Sequence, residues 1–150
     1  TACEAWTDPF DQLRRHNNRI IKDDTALDRY NVHSYSVYIV HGVKMFTFIE
    51  LEGFRKRRAE LIEDDEFREM QQALIVNPEL GNVIQDTGGF RKLRWARPGT
   101  GKSGGVRVIY YNRSAVSGKL YLALIYAKNE ADNITSKQKA MLKQVAEQLS

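Results

Sequence analysis

Three β-like runs between residues 90 and 128 constrain the fold more than any other part of this chain of 150 residues. The runs are FRKLRWA (90–96), GVRVIYYN (105–112) and KLYLALIYAK (119–128), and all three are rich in β-branched or aromatic residues. Their connections are short or glycine-rich, which favours antiparallel pairing over helical crossovers. The sequence therefore predicts a three-stranded antiparallel sheet.

The same segment carries nine basic residues and no Asp or Glu, although the formal net charge of the whole chain is only +4. Because side chains alternate along a strand, every second residue of a run faces the same side. The residues expected to share one face are Lys92, Arg94, Arg107, Tyr126 and Lys128. One interpretation is an ordinary solvated face of an antiparallel sheet. The other is a binding surface for a polyanion, since neighbouring cations repel one another until an anion neutralises them.

Composition narrows the class of protein. The length suits one domain, and a pI near 9.2 favours an acidic partner such as nucleic acid. A single cysteine, Cys3, excludes an internal disulfide framework and a cysteine-rich metal site, which fits a reducing cytosol. No apolar run approaches the roughly 18 residues of a membrane span. We therefore expect a cytoplasmic protein without a membrane segment or a metal cofactor.

Histidine chemistry is not expected in the basic segment. All three histidines precede residue 45, and their spacing matches no metal motif. Proton transfer near the predicted sheet must therefore use Lys, Tyr, a carboxylate or water.

The segment before the sheet predicts a strand and a helical hairpin. MFTFIEL (45–51) is aromatic and β-branched, and GFRKRRAELI (53–62) and DEFREMQQALIV (65–76) have apolar residues at helical spacing. Asp64 is the expected N-cap of the second helix, and Asn77-Pro78 is expected to end it.

A terminal amphipathic helix completes the predicted α+β fold. It begins with the capping-box pattern of Thr135 to Gln138. Its expected apolar face comprises Met141, Leu142, Val145, Ala146 and Leu149. Residues 1–44 lack sustained periodicity apart from a short strand candidate at 36–43, so the domain is predicted to span 45–150. One hypothesis is that Met45 is the natural start and that 1–44 do not belong to the native protein.

One motif suggests nucleotide binding but lacks the required context. Residues 96–103, ARPGTGKS, fit the relaxed phosphate-loop pattern. Such a loop must lead from a strand into a helix whose N-terminal amides hold the phosphates, whereas here a strand follows. We therefore expect no nucleotide site and interpret the segment as a basic hairpin tip that can approach a phosphate backbone.

From Met45 onward the chain resembles the RelE/HigB toxins of bacterial type II toxin–antitoxin systems. The order of elements agrees, and the phrases GGVRVIYY and IYAKNE are similar to the HigB-type branch. The resemblance covers about residues 45–149. It implies a RelE-like fold with an N-terminal strand, a helical hairpin, a three-stranded antiparallel sheet and a C-terminal helix.

The resemblance also implies an activity. It is that of a ribosome-dependent, metal-independent endoribonuclease, which cleaves messenger RNA in the A site by attack of the ribose 2′-hydroxyl. The partners implied are the ribosome, mRNA and a cognate helix-turn-helix antitoxin of the HigA type. A gyrase poison of the related ParE branch and a non-catalytic RNA-binding protein are the alternatives, and the paired Lys92 and Arg94 with Arg107 favour the nuclease.

Roles follow by position within the resemblance. Arg107 would stabilise charge on the phosphate, and Arg94 would clamp it. Lys92 is assigned as the general base, because a crowd of cations favours loss of its proton. Lys128 would assist the leaving oxygen, and Tyr126 would orient RNA. Further RNA contacts are expected from Arg91, Arg97, Lys102 and Arg113.

The chain departs from the family pattern in one respect. Some relatives have a catalytic tyrosine or histidine in the terminal segment, whereas this chain has neither after Tyr126. The departure affects the assignment of proton transfer and leaves phosphate binding unaffected.

Overall fold

The computed structural model describes residues 34–40, 44–96, 104–131 and 133–150. Within these ranges the chain forms an open mixed sheet covered on both faces by helices. The strands are β1 (Ser34–Val40), β2 (Lys44–Glu50), β3 (Asn82–Val83), β4 (Arg91–Trp95), β5 (Val106–Arg113) and β6 (Lys119–Ala127). The helices are α1 (Glu52–Leu61), α2 (Asp64–Val76), α3 (Ser114–Ser117) and α4 (Ser136–Leu149).

The sheet has the strand order β1-β2-β6-β5-β4-β3. All neighbouring pairs are antiparallel except β2 and β6, which pair in parallel with Thr47 opposite Lys119. The ladder between β5 and β6 shifts register at Ile109 and Tyr110, as in a β-bulge. The first and last strands of the 44–150 region therefore lie side by side in the middle of the sheet.

The helical hairpin α1–α2 packs on one face of the sheet. Phe54, Met70 and Leu74 of the hairpin are fully buried, and the rings of Phe54 and Phe67 pack in a tilted arrangement with their centroids 5.7 Å apart. The strand residues in the same core alternate with residues of the opposite face: Phe46, Phe48, Leu93, Val106, Val108, Tyr110, Leu120, Leu122 and Ile125. We call this side the hairpin face.

Helix α4 packs on the other side, which we call the α4 face. Its buried residues, Leu142, Val145, Ala146 and Leu149, meet Phe90, Ile109, Tyr121 and Ala123 of the sheet region. The turn before β4 approaches α4 closely, because a Cβ built on Gly88 would lie 2.8 Å from the Cβ of Ala146. Gly88 also has a φ of 74°, so this position requires glycine on both steric and backbone grounds.

The structure confirms the predicted α+β class and the main elements. The three antiparallel strands, the helical hairpin and the terminal helix lie within a few residues of the predicted bounds. The predicted capping box of α4 is present, with the backbone N–H of Gln138 donating to Thr135 Oγ1 over 3.2 Å. The second helix ends at Asn77 as expected.

Two local predictions were wrong. The N-cap of α2 is Glu63, not Asp64, and the backbone N–H of Glu63 donates to Glu66 Oε2 over 3.0 Å. Several adjacent acids suit this position, so composition does not fix the cap to one residue. Met141 was expected on the buried face of α4 but is 48% exposed, because it lies at the rim of the narrow stripe that contacts the sheet.

Three features of the fold were not predicted. They are the two-residue strand β3, the one-turn helix α3 between β5 and β6, and the parallel pairing of β2 with β6. Strand β1 covers part of the predicted short strand at 36–43, and it pairs with β2. Among the described residues, no helix is long and apolar enough to cross a bilayer.

Candidate functional site

Three of the predicted site residues, two of them basic, lie in a row across three strands. In the sheet register Arg94 of β4 lies opposite Arg107 of β5, which lies opposite Tyr126 of β6. Their neighbours Leu93, Val106, Val108 and Ile125 belong to the core under the hairpin face. The row therefore points to the α4 face, and at ordinary strand spacing it spans about 10 Å.

Lys92 is also on the α4 face, on the same strand as Arg94. Its Nζ donates a hydrogen bond to Asn133 Oδ1 over 3.0 Å. Asn133 is an exposed residue of the loop that joins β6 to α4. We call Lys92, Arg94, Arg107 and Tyr126 the basic row. Lys92 and Arg107 are half-buried and Arg94 is exposed, so the row can be reached from solvent.

Lys128 directly follows the last residue of β6, near Tyr126 of the basic row. Its backbone N–H donates to Gly105 O over 3.0 Å, which continues the β5–β6 ladder beyond Ala127. The guanidinium of Arg107 lies near the same glycine, because a Cβ built there would be 3.7 Å from Arg107 Nη1. The backbone of Lys128 is thus positioned at the edge of the basic row.

Like charges oppose each other at the centre of the row. Cross-strand partners have Cβ atoms about 4.5–5.5 Å apart, and like charges placed there destabilise a sheet. Within the part of the chain that the structure describes, neither Arg94 nor Arg107 forms an ion pair with a carboxylate. Arg107 Nη1 instead makes a long contact of 3.4 Å with Val106 O. The arrangement can bind an anion between two guanidinium groups.

The structure places two other predicted RNA-binding residues away from the row. Arg91 lies on the hairpin face, where its Nη1 donates to Gly81 O over 2.9 Å and its Nη2 pairs with Glu79 Oε1 at 3.4 Å. Arg113 lies at the far end of β5 opposite Lys119, about 20 Å along the strand from Arg107. Arg97, Lys102 and the phosphate-loop-like segment from 97 to 103 lie outside the described residues.

Helix α1 carries a second basic cluster, Arg55 to Arg58, which is largely neutralised by carboxylates. Lys56 pairs with Glu52 at 2.8 Å, and Arg58 pairs with Asp64. The guanidinium of Arg58 also lies 4.8 Å from the ring centroid of Phe67, within the range of a cation–π contact. This cluster supports the hairpin and is a poor match for a phosphate site.

Arg57 of α1 reaches the loop that follows β6. Its Nη1 and Nη2 donate to the two carboxylate oxygens of Glu130 over 2.8 and 2.7 Å. This hydrogen-bonded pair lowers the pKa of Glu130, with a smaller contribution from the Ala127 backbone N–H. Glu130 therefore anchors the first part of the loop that carries Asn133.

Sequence reasoning missed both Asn133 and Glu130 as neighbours of the site. Asn133 lies far from Lys92 in the chain, and only the packing of α4 brings them together. Glu130 occurs in the phrase IYAKNE, but nothing in that phrase identifies Arg57 as its partner. Among the described residues, no three His, Cys, Asp or Glu side chains cluster in a way that could hold a metal ion.

A family comparison agrees with this architecture. The family model described as the RelE toxin of the RelE/RelB toxin–antitoxin system matches residues 44–150. The matched region runs from β2 through α4 and includes the basic row, Lys128 and Asn133. Toxins of such systems act with an antitoxin partner, and the narrower resemblance to the HigB-type branch stays a prediction. Since the match covers well over half of the chain, the protein belongs to the RelE toxin family.

Proposed function

We propose that this toxin is a ribosome-dependent endoribonuclease that cleaves messenger RNA and so inhibits translation. The observation that carries the proposal is the basic row, in which Arg94 and Arg107 oppose each other across β4 and β5 with Lys92 beside them. Phosphoryl transfer needs preorganised positive charge around the scissile phosphate. A gyrase poison or a passive RNA-binding protein does not need that convergence.

The proposed reaction is an internal transesterification. The 2′-oxygen attacks the adjacent phosphorus and forms a new P–O bond, while the bond from phosphorus to the 5′-oxygen breaks. Lys92, as the neutral amine, takes the proton of the 2′-hydroxyl, and Lys128, as the ammonium, gives a proton to the leaving 5′-oxygen. The products are a cyclic 2′,3′-phosphate and a free 5′-hydroxyl.

The remaining groups of the row stabilise and orient the substrate. Arg94 and Arg107 hold the non-bridging oxygens, whose charge increases as the phosphorus becomes five-coordinate. Tyr126, directly opposite Arg107, orients the RNA strand. Binding of the phosphate also relieves the repulsion between the two arginines, so part of the interaction is gained only when RNA is present.

The proposed partners are the ribosome with its mRNA and a helix-turn-helix antitoxin of the HigA type. The ribosome supplies the mRNA in a fixed conformation, which lowers the entropic cost of aligning the 2′-oxygen with the phosphorus. The antitoxin would neutralise the toxin by covering the basic row or by keeping it from the ribosome. Support for these partners comes from membership of the family.

The test is cleavage of a defined mRNA in a purified translation system, with and without ribosomes. Wild type is compared with Lys92→Ala, Arg107→Ala and the control Arg68→Ala. Arg68 belongs to α2 on the hairpin face, and its one ion pair among the described residues is with Asp65 at 3.5 Å. The control therefore removes the same charge from the opposite side of the sheet.

The proposal is supported if cleavage needs ribosomes and occurs in both wild type and Arg68→Ala. Cleavage should then fall at least about 100-fold in Lys92→Ala and in Arg107→Ala. Equal losses in all three variants would show that net charge, not the row, governs activity. A folded wild type that cuts no RNA would overturn the nuclease, and a gyrase supercoiling assay would then test the ParE-like alternative.

A further inference from the structure

The hydrogen bond between Lys92 Nζ and Asn133 Oδ1 joins the predicted general base to a residue without an assigned role. The two residues belong to different elements, since Lys92 lies on β4 and Asn133 in the loop before α4. Within the part of the chain that the structure describes, this bond of 3.0 Å is the one polar contact of the Lys92 side chain. It fixes the end of a long side chain that would otherwise sample many rotamers.

The loop that carries Asn133 is held at both ends. On the β6 side, Glu130 accepts two hydrogen bonds from Arg57 and a third, over 3.3 Å, from the backbone N–H of Ala127. On the α4 side, Ile134 is buried in the core and Thr135 caps the helix. Asn133 is therefore presented to Lys92 by a segment with fixed ends, although its own side chain is exposed.

An amide is suited chemically to a lysine that must change protonation state. The amide oxygen accepts a hydrogen bond from an ammonium and also from a neutral amine. A carboxylate at the same place would hold the ammonium by charge and oppose loss of its proton. The other charged or titratable groups of the basic row are Arg94, Arg107 and Tyr126, with Lys128 at its edge.

We propose that Asn133 is a positioning residue that holds the amine of Lys92 at the scissile ribose, and that its neutral amide leaves Lys92 able to accept a proton. This inference rests on the proposed ribonuclease function and adds a specific requirement to it. Asn133 acts through Lys92 and takes no proton itself.

The test compares Asn133→Ala and Asn133→Asp with Gln144→Glu as the control. Gln144 is an exposed residue within α4, and its replacement makes the same change from amide to carboxylate outside the loop that carries Asn133. Single-turnover cleavage of mRNA on ribosomes is measured as a function of pH. Unfolding midpoints are measured for all variants, so that a loss of folding is not mistaken for a loss of positioning.

Asn133→Asp and Asn133→Ala are expected to change the pH–rate profile in different ways. Asn133→Asp should move the rising limb of the pH–rate profile to higher pH by about one unit, because a carboxylate next to Lys92 favours its ammonium form. Asn133→Ala should lower the rate about tenfold at every pH through misplacement of the amine. Gln144→Glu should match wild type. A profile whose limb stays in place in Asn133→Asp, or moves equally in Gln144→Glu, would overturn the proposal.

A second measurement does not depend on cleavage. The Lys92 side-chain ammonium is observed by nitrogen-15 NMR in the whole protein, with a Lys92→Arg variant to assign the signal. Slow proton exchange of this ammonium in wild type and faster exchange in Asn133→Ala would support the contact in solution. Equal exchange in both would overturn it, even if the wild type cleaves RNA. If the wild type cleaves nothing but the exchange rates differ, the nuclease proposal fails while the contact stands.

Discussion

Arg91 and Arg94 lie on the same strand, yet their surroundings are opposite. Arg91 points to the hairpin face, where its side chain is 20% exposed and contacts Glu79 and the carbonyl of Gly81. Arg94 points to the α4 face, is exposed, and lies opposite Arg107. The first arginine is neutralised within the fold and the second adds to a one-signed surface. Acidic partners, not the number of basic residues, therefore separate structural arginines from candidate RNA ligands.

Three basic residues of α1 resemble Arg91 in this respect. Carboxylates pair with Lys56, Arg57 and Arg58. The acids come from α1, from the start of α2 and from the loop after β6, so none lies within the acid-free stretch 90–128. That stretch supplies all four members of the basic row. Within the described residues, Arg94 and Arg107 of that row have no such carboxylate partner.

The largest effect should come from removing one charge from the row. Arg94→Gln should lower ribosome-dependent cleavage about 100-fold, because a phosphate ligand is lost. The same change should leave the fold intact or stabilise it by about 0.2–1 kcal/mol, because it removes repulsion with Arg107. Cleavage rates and urea unfolding of the same preparation check both parts. A variant that loses both stability and activity would contradict the claim that Arg94, unlike Arg91, does not stabilise the fold.

Arg91→Ala should show the reverse pattern. It removes the hydrogen bonds to Gly81 and to the backbone carbonyl of Glu79, as well as the ion pair with the Glu79 carboxylate. We expect the free energy of unfolding to fall by about 1.5–3 kcal/mol. Cleavage by the folded fraction should remain close to wild type. Unfolding curves and rates normalised to folded protein test this, and a selective loss of RNA cleavage would return Arg91 to the site.

Glu50 lies outside the basic row and allows a test of how burial of a carboxylate affects stability. The residue is 5% exposed, and burial raises its pKa above the ordinary value of 4.5, while the charges of Arg58 and Arg55 act in the opposite direction. Because folding favours the protonated acid, stabilisation from this group is present below its unfolded pKa and is lost as the pH rises through its folded pKa. Glu50→Gln should therefore stabilise the protein near neutral pH.

The difference between wild type and Glu50→Gln should shrink as the pH falls from neutral towards 4.5. Urea midpoints of both proteins across this window give the measurement. The control is Glu69→Gln on the exposed part of α2, which should show no such convergence. A constant difference across the window would mean that the Glu50 carboxylate is fully neutralised by the arginines.

The smallest effect is expected from the pair between Arg57 and Glu130. Both side chains are about 40% exposed, so solvent and salt weaken their attraction. The pKa of Glu130 is lowered by Arg57; the stabilisation is therefore present above the unfolded pKa and is lost as the pH falls through the folded one. A double-mutant cycle with Arg57→Ala and Glu130→Gln should give a small coupling that decreases with added salt. Coupling that does not depend on salt would indicate another origin.

The strands of the site were predictable because their signals are local. Alternation around Leu93, Val106 and Ile125 separates core residues from the basic row, and the structure places those residues in the core. The ends of α2 and α4 were nearly correct for the same reason, since caps depend on neighbours in sequence. Local chemistry thus fixed the faces of β4, β5 and β6.

The contacts that complete the site were not predictable. Glu79 neutralises Arg91 from the loop after α2, and Asn133 reaches Lys92 from the loop before α4. Neighbouring residues in the sequence do not indicate either contact, because both contacts depend on how the helices pack against the sheet. Strand β3 was missed because two residues are too short for a periodic signal. The alternation of strands predicted which residues share a face, whereas tertiary packing decided which of them meet a partner.

The parallel pairing of β2 with β6 also has a kinetic consequence. Thr47 must meet Lys119 before the middle of the sheet can form. Strand β2 therefore cannot pair with its neighbour until β6, the last strand of the matched region, is present. Contacts between such distant segments slow folding. A nascent chain therefore cannot complete the sheet that displays Arg94 and Arg107 until β6 has been synthesised. The surface that we propose to act on translating ribosomes therefore forms only after a ribosome has synthesised β6.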